Sequence, residues 1–122
     1  MMAVAAKERR KTRSNDPLVA LHYQLAHARK MGSLDTIVVA DSAGVVVAGA
    51  GSWAACEELA AYAPLLAAGG EVPARIAEME LDLRALDLDG DTVLVCARGA
   101  MNDAASAAVE RAAAGTLRIL AA

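Results

Sequence analysis

The chain has 122 residues and a formal net charge of -3, and its 57% hydrophobic content comes with no Phe, one Trp and two Tyr. A chain of this length suits one domain, burying about two thirds of the surface its unfolded form exposes, so a core without disulfides or metal is expected. That core is built from small parts, chiefly Ala, Val and Leu, and small parts leave apolar surface for an oligomer interface to cover. Cys56 and Cys96 are far apart and show no paired spacing, so both read as reduced core residues.

Positive charge gathers in Lys7, Arg9, Arg10, Lys11 and Arg13. Residues 1–15 read as a disordered, solvated basic arm. A phosphate or lipid contact is the alternative, but the chain lacks the aromatic residues that stacking on single strands uses, so a nucleic-acid partner is not expected. The apolar start, Met1 to Ala6, precedes the basic run, the reverse of a secretory signal, and a cytoplasmic location is expected. The apolar stretch from Leu34 to Cys56 is divided by Asp35, Asp41, Ser42 and Gly44 into pieces too short to span a membrane, so no membrane insertion is expected.

Residues 16–122 read as one domain. Asp16 and Pro17 suit a helix start, and Leu18, Leu21, His22, Leu25 and Ala28 recur at helical spacing before Gly32. Thr36 to Ala40 and Val45 to Ala48 read as a β-hairpin around Asp41-Ser42-Ala43-Gly44, apolar on both faces and therefore covered on both. After Gly49 and Gly51, Ser52 caps a second helix with Cys56, Leu59, Ala60, Ala63 and Leu66 on its apolar face. Pro64 predicts a kink or an end near Ala63, and Gly69-Gly70 breaks the chain.

Met79, Leu81 and Leu83 then alternate with Glu80, Asp82 and Arg84, as in a half-exposed strand. The phase slips at Ala85, which predicts a bulge or a break and leaves the count here at two or three strands. Asp89-Gly90-Asp91 turns the chain into Thr92 to Ala97, a central strand. Asn102 or Asp103 caps the last helix, which Gly115 is expected to interrupt. The fold class is α/β in the α+β sense: an antiparallel sheet of about five strands sandwiched between helices, in the order α-β-β-α-β-β-β-α.

Motifs with chemistry are scarce. Gly49, Gly51 and Ala54 fit a dinucleotide fingerprint, with Glu71 downstream, but a hairpin arm precedes them where a parallel βαβ strand is required; the glycines read instead as room for a tight helix start. Asp87, Asp89 and Asp91 imitate a calcium loop without its closing Glu and read as a turn. His22 and His27 are five residues apart, on different faces of a helix, and do not chelate one metal. No catalytic, cofactor-binding or metal-binding residue is assigned, and the chain is not expected to be an enzyme. Trp53 is the most informative residue: with Leu59, Tyr62, Leu65 and Leu66 it suits a protein interface, with core packing as the plain alternative.

The segment Leu34-Asp-Thr-Ile-Val-Val-Ala-Asp-Ser-Ala-Gly-Val-Val-Val-Ala, followed by Glu57-Glu-Leu-Ala-Ala, resembles the roadblock/dynein light chain family, with its roadblock/longin, profilin-like fold, over Asp16 to Leu120. The resemblance implies a non-enzymatic homodimer joined through the second helix, Trp53 to Leu66, and the strand after it, Ala74 to Leu83. Interface candidates are thus Trp53, Leu59, Tyr62, Leu65, Leu66, Met79 and Leu81. It also implies a Ras-like small GTPase or another signalling protein as partner, since family members serve as platforms for such GTPases, as adaptors, or in bacteria as regulators of a polarity GTPase. A clear turn between the third and fourth strands is usual in the family, and here only the slip at Ala85 stands in its place. The runner-up resemblance is a GAF-like small-ligand sensor, which also opens with a helix and an Asp-Gly hairpin.

Overall fold

A computed structural model describes residues 16–121, so the expectation of a disordered basic arm lies outside the described residues. The elements are α1 (Pro17–Met31), β1 (Thr36–Asp41), β2 (Val46–Ala50), α2 (Trp53–Ala67), α3 (Ala74–Ala77), β3 (Leu81–Leu88), β4 (Asp91–Arg98) and α4 (Asp103–Ala121). The strands form one antiparallel sheet in the order β2-β1-β4-β3. The α+β sandwich is as expected, with four strands in place of about five.

The caps follow the side chains that suited them. Asp16 accepts the N–H of Val19 at 3.3 Å, Ser52 that of Ala55 at 3.2 Å, and Asn102 that of Ala105 at 2.9 Å. Asp41 holds the first hairpin by accepting the N–H groups of Ala43 and Val45 at 2.9 and 3.0 Å. Asp89 and Gly90 both take positive φ, the backbone that matches a two-residue hairpin to the twist of its strands.

β1 and β4 occupy the middle of the sheet and are buried on both faces. One face, carrying Ile37, Val39, Val93, Val95 and Ala97, packs against Leu21 and Leu25 of α1 and Val109 and Ala112 of α4. The other, carrying Val38, Ala40, Leu94 and Cys96, packs against Cys56, Leu59, Ala60 and Ala63 of α2. Two long helices cover the first face and one covers the second.

Four expectations need correction. β3 pairs with β4 without interruption from Leu81↔Arg98 to Leu88↔Asp91, so the slip at Ala85 is neither a bulge nor a break. Its cause is a change of partner: Leu81 and Leu83 face the α2 cluster, while Leu86 and Leu88 face the α1–α4 cluster. The expected strand from Ala74 begins only at Leu81, because residues 74–77 form the single turn α3, whose Ile76 is fully buried. Pro64 does not end α2, which continues to Ala67 with the N–H of Ala68 bonded to the carbonyl of Pro64 at 3.1 Å. Proline removes its own donor and crowds the carbonyl of Ala60, and the packing of Leu59, Ala60 and Ala63 holds the helix across that defect.

Nor does Gly115 interrupt α4. It is buried, and a Cβ there would stand 2.6 Å from Cδ of Gln24, so the glycine lets α1 and α4 approach. A Cβ on Gly49 would stand 2.7 Å from Sγ of Cys56, a short buried side chain with nowhere to go. Gly49→Ala is therefore expected to lower the unfolding free energy by about 1–3 kcal/mol in urea. Gly115→Ala should cost less, because Gln24 is long enough to swing aside; a larger loss at Gly115 would show that the helix approach, and not the contact with Cys56, is the tighter constraint.

Candidate functional site

α2 starts where β2 delivers the chain, at Ser52, and crosses back over the sheet. Its inner face is Ala55, Cys56, Leu59, Ala60 and Ala63. Leu59, expected at an interface, is instead fully buried in the core, a correction that follows from its phase: it shares the sheet-facing side with Cys56 and Ala63. Trp53 and Leu65 are exposed, at 58% and 45%. Tyr62, Leu66, Met79 and Leu81 are half-buried.

The exposed and half-buried candidates fall on two flanks. Trp53 lines a shallow groove with Gly44, Val45, Val46 and Glu57, beside β2. Tyr62 lies nine positions on, roughly half a turn around the helix, with Leu66 near it. Met79, Leu81 and Leu83 pack onto the α2 cluster at the β3 end of the sheet, where Leu83 is only half-buried and Ala85, two residues along the same face, is exposed. The sheet there ends in β3, whose outer edge has no neighbouring strand among the described residues.

Charged side chains tie α2 to the sheet. Arg98, at the end of β4, donates from Nε to Asp35 at 2.9 Å and from Nη2 to the same carboxylate oxygen, and its Nη1 lies 3.8 Å from Glu58. Arg75 of α3 reaches Glu58 at 2.6 Å. The Arg98 and Thr36 hydrogen bonds hold the Asp35 carboxyl below its ordinary value of 3.8. Burial raises the Cys56 thiol and pushes Cys96 up to about 12, so both are protonated at neutral pH and neither is poised as a nucleophile.

Gly49 lies in β2, the edge strand of an antiparallel sheet, against Cys56 of α2, and Gly51 follows it against Asp35 and Thr36, so both glycines have the packing role weighed against nucleotide binding. Asp87 accepts the N–H of Gly90 at 3.0 Å within the β3–β4 turn. His22 donates from Nδ1 to the carbonyl of Gly49 at 3.2 Å. Two residues outside the expected set are conspicuous: Tyr23, 74% exposed, and Val45, 59% exposed. Tyr23 falls between the buried positions Leu21 and Leu25, so helical phase alone places it outward; Val45 sits in an apolar run and carries no such signal.

An antiparallel sheet in the order β2-β1-β4-β3, with two helices on one face and the helix after β2 on the other, is the roadblock/longin fold. It is the first of the two arrangements that the sequence resembles. No family model matches the sequence, and no curated protein matches it. Among solved structures the chain is similar to MglB of Myxococcus xanthus, with a TM-score of 0.60 and 15% identity over 87% of this chain and 91% of that one. It is also similar to the gliding protein MglB from Thermus thermophilus, at 0.62 and 18% over 86% and 91%, and to an MglB with a tetrameric arrangement, at 0.61 and 17% over 86% and 90%. At these identities the likeness is one of fold.

Leu65→Asp, at an exposed position, is expected to leave a folded chain that still unfolds cooperatively, whereas Leu59→Asp places a charge in the core and should abolish cooperative unfolding; a folded Leu59→Asp protein would show that α2 is rotated from this placement. The depressed Asp35 carboxyl contributes stability that is present above its ordinary pKa and lost as pH falls through its folded one. The difference in midpoint between the native chain and Asp35→Asn should accordingly shrink below about pH 4.

Proposed function

We propose that this chain is a non-enzymatic, homodimeric platform that binds and regulates a Ras-like small GTPase. The observation that carries the reading is the unequal cover of the sheet. α2 alone lies over a face that two helices cover on the other side, and beside it Leu81 and Leu83 are half-buried and Ala85 is exposed next to the free edge of β3. A second copy of α2 and β3, related by a twofold axis, supplies the missing cover with the same residues from both chains. Tyr62, Leu65, Leu66, Met79 and Leu81 are the residues proposed for that contact.

The roadblock/longin fold supports a scaffold role, and one protein with a similar fold is an MglB with a tetrameric arrangement. The Ras-like partner follows from the family that the sequence resembles. No helix among the described residues is long and apolar enough to cross a membrane, and a cytoplasmic site is part of the proposal.

Light scattering should give twice the chain mass. Leu81→Arg should return a folded monomer, with dimer affinity weakened at least about tenfold. A native-extract pull-down with GDP and with a non-hydrolysable GTP analogue should retain a small GTPase, and a preference for one nucleotide would separate effector from regulator. A monomeric native chain that retains no GTPase in either state would overturn the reading.

A further inference from the structure

The large apolar side chains left exposed among the described residues are not scattered. Of the eight, Val19, Tyr23, Val45 and Trp53 stand beside β2, the edge strand at the opposite end of the sheet from β3. They form two grooves. Val19, His22, Tyr23 and Ala26 of α1 line one with Gly49, on the α1 face of the sheet; Trp53 and Glu57 of α2 line the other with Gly44, Val45 and Val46, on the opposite face. Both grooves open beside the same strand.

That strand is poorly defended. β2 reads Val-Val-Ala-Gly-Ala, with no charge and no proline, whereas the other edge, β3, carries Asp82, Arg84 and Asp87. An uncharged edge, with no neighbouring strand among the described residues, is a template for another strand. The Gly49 carbonyl takes its hydrogen bond from the side chain of His22, which is exposed and free to yield to a backbone donor. β1 pairs Val39 with Ala48 and Ala40 with Val46, leaving Val47 as a bulge. The bulge bends the edge, disfavouring long flat pairing and admitting only a short segment.

Successive residues of an added strand point to opposite faces, so neighbouring side chains of one extended segment reach both grooves. A second copy of β2 brings only Val, Ala and Gly, too small to fill them. Glu57 is the one acidic residue lining either groove and calls for a cation. We infer that β2 is a strand-addition site for a short extended segment of a partner protein, with large apolar side chains in the two grooves and a Lys or Arg paired with Glu57. The site is separate from the α2–β3 dimer and does not depend on it.

The probe is an acetylated, amidated peptide, Thr-Leu-Lys-Leu-Phe-Leu-Thr, titrated to about 1 mM into the ¹⁵N-labelled full chain. Expected are shifts at the amides of Ala48, Gly49 and Ala50, with slowed exchange at Gly49, whose backbone groups face the open edge. Tyr23→Lys and Glu57→Lys, both at exposed positions, should weaken binding about tenfold, and a peptide with proline in place of the central leucine should not bind. No response at β2, equal binding of the proline peptide, or a response confined to β3 would each overturn the proposal. Light scattering on the same samples reads the dimer separately, so loss of strand addition and loss of dimerisation are told apart.

Discussion

The molecule depends on how one sheet is covered. β1 and β4 are apolar at successive positions, so both of their faces must leave water, and the chain supplies helices to each side. Helices α1 and α4 close one face by approaching tightly, with Ala28, Ala105, Ala108 and Ala112 between them and Gly115 under Gln24. Only α2 is available for the other face, and it lies over β1 and β2 more than over β3. The thinly covered remainder at β3 is the feature on which the proposed assembly rests, and the apolar flank at β2 is a second, distinct one.

The charged residues serve this arrangement. Arg98 joins Asp35 before β1 to Glu58 on α2, and Arg75 on α3 closes onto the same Glu58. Exposed pairs of this kind contribute at most about 1 kcal/mol each. They join α2 and α3 to the end of β4, in a placement that the buried contacts of Cys56, Leu59, Ala60 and Ala63 define. Arg84 and Asp82 pair on β3 itself, at 2.9 Å, on the face toward α4 and opposite Leu81 and Leu83.

Much of the architecture was legible because short-range rules govern it. The caps at Asp16, Ser52 and Asn102, the turns at Asp41 and Asp89, and the central position of β4 follow from side-chain chemistry and apolar patterning over a few residues. The misplaced features share one cause. Pro64 and Gly115 break helices by propensity, yet tertiary contacts hold α2 and α4 through them. The slip at Ala85 looked like a break because a pattern of alternation records which neighbour lies on each face, and along β3 that neighbour changes from α2 to α4.

The interface set shows the same division. Sequence alone determined that α2 is apolar on a broad face, that Trp53 opens it after a glycine turn, and that the chain carries small side chains suited to close packing. It did not determine which apolar residues of α2 face inward, since Leu59 and Leu65 are alike in chemistry and differ only in where the sheet lies. The tertiary structure decided that Leu59 is core, that Trp53 looks toward β2 and Tyr62 away from it, and that Tyr23 and Val45 join Trp53 across an edge strand. Exposure is a property of what packs against a residue, and those partners come from distant parts of the chain that local patterning does not encode.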